Sequence, residues 1–94
     1  MNLSTEQIEL IREYSSVFMT WQDIAILLQV DGIELREELS DPGTEAHKAY
    51  HLGKTISNYE ISKNLVKLAK LGSPQAEILV RENINRQENA ENEL

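Results

Sequence analysis

Cysteine is absent from this chain of 94 residues. Its absence removes disulfides, thiolate metal sites and cysteine nucleophiles together, and it is compatible with a reducing cytoplasm. Aromatic residues make up only 5%, with Trp21 the single tryptophan. No apolar run approaches the roughly 18–20 residues that a membrane-crossing helix needs. Met1–Ser4 has no basic stretch and leads into a charged helix, so neither a signal peptide nor a membrane partner is expected. Glycine occurs four times (Gly32, Gly43, Gly53, Gly72), spaced as punctuation and not as a phosphate-cradling loop. Ser15-Ser16 has no base nearby in sequence, and Glu37-Glu38 fall on an exposed helix with nothing to raise a pKa. No catalytic residue, cofactor or enzyme activity is expected.

What is present is a small, acidic, helix-forming sequence. At 10.7 kDa and 40% apolar, a chain of this size buries only about 60–65% of its unfolded surface, and its own core is thin. Partner subunits are a common remedy. The net charge of −7 is unevenly spread. Residues 1–44 carry two basic side chains against nine carboxylates, residues 45–85 carry six against four, and residues 86–94 carry one against three. An acidic head is thus joined to a mildly basic second half, which suits selective use of one face.

Helical periodicity runs through the chain. Ser4-x-x-Gln7 reads as a capping box, with Ile8, Ile11, Ser15 and Phe18 as one stripe of a first helix. Thr20 caps a second, short helix containing Trp21, Ile24, Ala25, Leu27 and Leu28, where Trp21 is expected in the core. Asp31 caps a third, and Ser40-Asp41-Pro42-Gly43 is a loop by composition. From Thr44 to Leu71 a three-four spacing predicts one helix roughly 40 Å long. Gly72 then stops it, Ser73 caps and Pro74 opens a fifth helix. The predicted fold class is all-α, with a three-helix head over 1–43, an antiparallel long-helix hairpin over 44–85 and a disordered acidic tail over 86–94.

The segment WQDIAILLQVDGIELREELS, residues 21–40, resembles a helix-turn-helix unit. Two short helices crossing over a tight turn need a small residue at the contact, met by Ala25, and aliphatic inward positions, met by Ile24, Leu28, Val30 and Leu35. Gln29 stands where the motif usually has glycine, and Glu38 where it is usually apolar. An ordinary three-helix bundle would use the same spacing. The exposed positions of the third helix place Glu34, Glu37 and Glu38 beside a single arginine, Arg36. Such a surface repels phosphate, whereas a DNA reader needs Lys and Arg on phosphates and Arg, Asn or Gln on base edges. His47 and His51 form an i, i+4 pair but lack a third ligand, with Glu45 on another face, so no metal site is expected.

Ala49-Tyr50-His51-Leu52-Gly53-Lys54 leads into the long helix, and Leu68-Ala69-Lys70-Leu71-Gly72-Ser73-Pro74-Gln75-Ala76 forms its turn. These runs, behind the helix-turn-helix segment, resemble the small terminase subunits of tailed phages and prophages over about residues 5–85. The resemblance implies a packaging-initiation protein in the cytoplasm of a bacterial host. Such a protein binds double-stranded DNA, forms a homo-oligomeric ring through its central helices and hands DNA to a large terminase subunit. Ala49, Tyr50 and Gly53 match the start of the family's long helix, and Gly72, Ser73, Pro74 and Ala76 match its hairpin turn.

The candidate DNA-binding residues are Arg36 and Ser40 on the third helix, with Lys48, Lys54, Lys63 and Lys67 for phosphates. The spacing of Lys63, Lys67 and Lys70 also suits a merely solvated face. The candidate oligomerisation residues are Ala49, Gly53, Ile56, Ile61, Leu65 and Leu68, with Ala49 and Gly53 letting a second helix come close. A second reading stays open, a helical protein-interaction or regulatory module whose acidic head meets a basic partner without binding DNA.

Overall fold

The computed structural model describes residues 1–92. The chain is all-α: α1 (Thr5–Ser16), α2 (Trp21–Leu28), α3 (Gly32–Ser40), α4 (Glu45–Lys70) and α5 (Pro74–Glu91), with no strand among the described residues. Short helices precede long ones, as the periodicity predicts. Two compact units result, Met1–Ser57 and Asn58–Leu94. The division falls inside α4, not at the loop near Gly43 where composition changes. The reason is that the first turns of α4 bury Ala46, Ala49 and Gly53 within the first unit.

The helix starts follow from side-chain oxygens placed to accept otherwise orphaned backbone N–H groups. Ser4 and Gln7 form a reciprocal capping box. Thr20 Oγ1 accepts from the Asp23 N–H at 3.2 Å, Asp31 Oδ2 from Glu34 at 3.1 Å, and Ser73 Oγ from Ala76 at 3.3 Å. The ends of α1, α2 and α4 share a Schellman pattern, in which crossed backbone bonds close over a left-handed residue. It closes α4 at Gly72, where the Ser73 N–H reaches the Leu68 carbonyl and Gly72 has φ of 95°. The same bonds close α1 over Phe18 (φ 62°) and α2 over Gln29 (φ 57°). Gln29 therefore takes the glycine conformation at the tight turn between α2 and α3, despite its side chain.

The core of the first unit is Ile11, Ile24 and Leu35, all fully buried, with Ala25, Leu39, Ala46 and Ala49 around them. Each such Ile or Leu contributes about 1.5–3 kcal/mol of hydrophobic stabilisation. Gly53 brings α4 against α1. A Cβ at position 53 would overlap Ser15 Oγ and the Arg12 carbonyl. Ser15 is buried and donates its hydroxyl to that carbonyl at 3.0 Å. One turn on, Ser57 Oγ donates to the Ser16 carbonyl at 2.6 Å and satisfies the end of α1. Gly53, expected to face another chain, thus faces α1 of its own head, and Ala49, expected to do the same, is buried in the core of that head.

The second unit joins the rest of α4 to α5 through Leu71–Ser73. Val66, Ala69 and Lys70 line one shallow groove with Glu77, Val80, Arg81 and Ile84, so the helices run back along each other. Among the described residues only Ala76 is buried here. Leu65, Ala69 and Val80 are half-buried, while Ile61, Leu68, Leu71, Ile78, Leu79 and Ile84 are exposed. α5 continues to Glu91, past Arg86, where disorder is expected from composition. Arg, Gln, Glu and Ala are good helix formers that need no burial, and Gln87 Nε2 donates to Glu91 Oε1 at 3.3 Å. Residues 93 and 94 of that expected tail lie outside the described residues.

Alanine normally gains about 1 kcal/mol over glycine inside a helix. At position 53 the overlap is with backbone that cannot swing aside. Gly53→Ala is therefore expected to lower the stability of the protein by about 1–3 kcal/mol, read as an earlier midpoint in urea. Gln29→Gly acts oppositely. Removing the side chain from a left-handed position is expected to add about 0.5–1 kcal/mol, a rise of a few degrees in thermal midpoint. An unchanged or lower midpoint would show that Gln29 gains more from its side chain than its backbone loses.

Candidate functional site

One hollow of the first unit gathers unlike groups on a wall of rings. It is open to solvent and has a volume of about 360 Å3. Trp21 enters it from the first turn of α2, placed there by the Thr20 cap. Arg36, Leu39 and Ser40 come from one face of α3, and His47, Tyr50 and His51 from the first two turns of α4.

Thr44 fixes the junction of these helices. Its hydroxyl donates to the Glu38 carbonyl at 2.7 Å and accepts the His47 N–H at 3.1 Å, capping α4 on the end of α3. His47 Nδ1 lies 2.7 Å from the Leu39 carbonyl. A carbonyl only accepts, so Nδ1 carries the proton and Nε2 of the neutral ring is left as an acceptor. The His47 and His51 rings sit 4.3 Å apart, and Tyr50 meets His51 edge-on at 5.4 Å.

Arg36 in the hollow and Lys54 beside it rest on rings, not on carboxylates. The Arg36 guanidinium lies 5.7 Å from the Trp21 ring centre, and Lys54 Nζ lies 4.3 Å from that of Tyr50. Residues 1–57 hold ten carboxylates and four Lys or Arg. Even so, among the described residues neither Arg36 nor Lys54 has a carboxylate within ion-pair distance. Lys48 differs, lying 3.4 Å from Glu45 in an exposed pair of little energetic weight. Ile33, Glu37 and Asp41 flank Arg36 in a second, shallower hollow. Partial desolvation at the edge of the hollow, where His51 stays exposed, followed by electrostatic repulsion from His47 and Lys54, shifts His51 below its ordinary pKa of 6.5. Among the described residues, no three His, Asp or Glu side chains converge as metal ligands.

The structure brings Arg36, Ser40 and Lys54 to this one region and leaves Lys48 exposed on α4. Lys63 and Lys67 are exposed in the second unit, Lys63 over Tyr59 at 5.9 Å. Of the expected oligomerisation residues, Ala49 and Gly53 are buried, Leu65 is half-buried, and Ile56, Ile61 and Leu68 are exposed. Trp21 is half-buried, packed against the core as expected, and also walls the hollow. Tyr50 and His47 also carry more of the site than their sequence context suggests. The interleaving of Trp21, Arg36, Tyr50 and Lys54 is the signal that could have marked them.

No helix among the described residues is long and apolar enough to cross a membrane. Compared with known proteins, the chain matches no family model, no curated protein and no solved structure.

The folded head favours the neutral His51 ring and so binds fewer protons than the unfolded chain between the lowered pKa and 6.5. The contribution of His51 to stability is present above 6.5 and is lost as pH falls through that window. An NMR titration is expected to place the His51 midpoint below 6.5, and Lys54→Gln is expected to move it back towards 6.5. A midpoint above 6.5 would contradict this electrostatic account of the hollow.

Proposed function

We propose that this chain is an oligomeric, DNA-associated adaptor of the small-terminase type, acting in phage or prophage DNA packaging. In this reading α2 and α3 are a helix-turn-helix pair, and the hairpin of the second unit assembles copies of the chain. The assembled heads deliver double-stranded DNA to a large terminase subunit in the bacterial cytoplasm. The observation that carries the reading is the hairpin. It buries only Ala76 and leaves Ile61, Leu68, Leu71, Ile78, Leu79 and Ile84 exposed. A hairpin this poor in core gains most from burying those side chains against another surface. Residues 58–92 carry five basic and five acidic side chains, so copies meet without net repulsion. The head supports the reading through Ala25, buried at the α2–α3 contact, and Gln29 in the turn conformation that glycine usually supplies.

DNA contact in this reading avoids the centre of α3, where Glu34 and Glu37 are exposed. It uses Arg36 and Ser40 at the edge of α3, with Lys48, Lys54, Lys63 and Lys67 on phosphates. One head binds weakly, and a ring of heads on one duplex gains from multivalency. A second reading, a protein-interaction module without DNA binding, is favoured by one observation. Ile33 is exposed beside Glu34 and Glu37, a surface suited to a basic, partly apolar partner.

Light scattering at micromolar concentration is expected to give a mass several times 10.7 kDa. Leu68→Glu, at an exposed position, is expected to reduce it to the monomer with helical circular dichroism retained. A wild-type monomer overturns the ring. Duplex retention at roughly 50 mM salt, where phosphate contacts are strongest, is expected for the oligomer and lost in Lys48→Glu/Lys54→Glu. Glu34→Lys/Glu37→Lys is expected to strengthen it. Absence of retention in the wild-type oligomer selects the protein-interaction module.

A further inference from the structure

The hollow between α2, α3 and α4 combines three features that a duplex-binding surface does not need. It is concave and walled by the rings of Trp21 and Tyr50. Each of these rings has a cation over it, Arg36 and Lys54 respectively, and neither cation is paired with a carboxylate among the described residues. His47 is anchored by the hydrogen bond from its Nδ1 to the Leu39 carbonyl, so its ring is a fixed polar part of the wall. A planar, anionic group suits this set. Its face lies on an aromatic ring or on the guanidinium plane, and its charge meets Arg36 and Lys54.

The geometry points to a single-stranded DNA site, in which one unpaired nucleotide places its base against Trp21 and Tyr50 and its phosphate near Arg36 and Lys54. This deepens the DNA-associated reading and rests on it. Bases of a duplex have both faces covered by their neighbours, whereas the bases of a single strand offer theirs to aromatic and guanidinium planes. The volume of about 360 Å3 is that of a small-ligand hollow and takes one such group, not a groove-width of duplex. Charge argues the same way. A duplex laid along α3 brings two phosphate backbones to Glu34 and Glu37, while a single strand approaching from the Arg36–Lys54 side carries about half that charge per unit length. The anchored His47 ring adds a polar edge for a hydrogen bond to the strand. An acidic peptide meets the two cations but offers no planar base to lie against the guanidinium and the rings.

Trp21 is the only tryptophan, so its emission reports this hollow alone. The experiment titrates wild-type protein at roughly 50 mM salt with a 12-nucleotide oligo(dT), a matched duplex, dTMP and a polyglutamate peptide. Oligo(dT) is expected to quench Trp21 saturably. Affinity is expected to fall about tenfold or more in Arg36→Gln/Lys54→Gln and in Tyr50→Leu, which keeps apolar packing. The exposed Arg86→Gln is expected to leave affinity unchanged. Quenching that survives in Arg36→Gln/Lys54→Gln overturns the site, as does equal quenching by polyglutamate. Equal affinity for dTMP overturns the strand in favour of a free nucleotide. Duplex retention without oligo(dT) quenching overturns this inference and leaves the adaptor reading standing. Failure of both oligo(dT) and duplex to bind the oligomer removes both.

Discussion

Everything built on the first half of α4 depends on how near its backbone comes to α1, and that distance is set by the missing side chain at Gly53. A Cβ there has nowhere to go, since the Arg12 carbonyl and Ser15 Oγ already occupy the space. With the gap closed, Ala49 is buried one turn earlier and Ser57 reaches the last carbonyls of α1 one turn later. Thr44, at the other end of the same stretch, clamps α4 to the end of α3. The first half of α4 is thereby held at both of its ends. The rotation that faces Gly53 to α1 also turns His47, Tyr50 and His51 towards Trp21 and Arg36. The hollow is a consequence of the close approach.

Local signals in the sequence translate directly into structure where a single residue decides the outcome. Ser4, Thr20, Asp31 and Ser73 cap as their positions require, because an N-cap needs only its own oxygen and an N–H three residues on. The turn at Gly72 is equally local. Signals that depend on a partner surface are ambiguous. A small residue on a helix face permits close approach, but it does not say which helix approaches. Ala49 and Gly53 suit a neighbouring chain as well as α1, and only the packing of the head decides between them. The apolar stripe of α5 has the same ambiguity. Its spacing is helical, yet Leu79 and Ile84 remain exposed while Ala76 is buried.

Phe18 and Gln29 show where local propensity yields to packing. Left-handed backbone is unfavourable for both by about 1 kcal/mol or more, and composition offers no hint of it at either position. Each nevertheless closes a helix by the bonds that Gly72 uses at the end of α4. Burial of Ile11, Ile24 and Leu35 requires α1, α2 and α3 to end where they do, and hydrophobic gains of a few kcal/mol exceed the backbone cost. The glycine usually found at the turn is therefore a convenience for this geometry and not a condition of it. Gln29 meets the backbone demand of the α2–α3 turn without being glycine.

The candidate site was the least legible part, because its chemistry is divided among residues far apart in sequence. Trp21, Arg36, Tyr50 and Lys54 are separated by 15, 14 and 4 positions, and no short motif contains them. Each alone has an ordinary explanation as a core aromatic or a solvated cation. Their meeting changes the electrostatics of the head. In a unit with ten carboxylates, Arg36 and Lys54 would be expected to find acidic partners, but the Trp21 and Tyr50 rings receive them instead. A ring quadrupole compensates a cation less fully than a carboxylate does. Positive potential is consequently retained at one edge of an otherwise acidic surface, with apolar faces beside it. Glu37 and Asp41 flank Arg36 on one side, so the cationic edge is narrow and bordered by carboxylates.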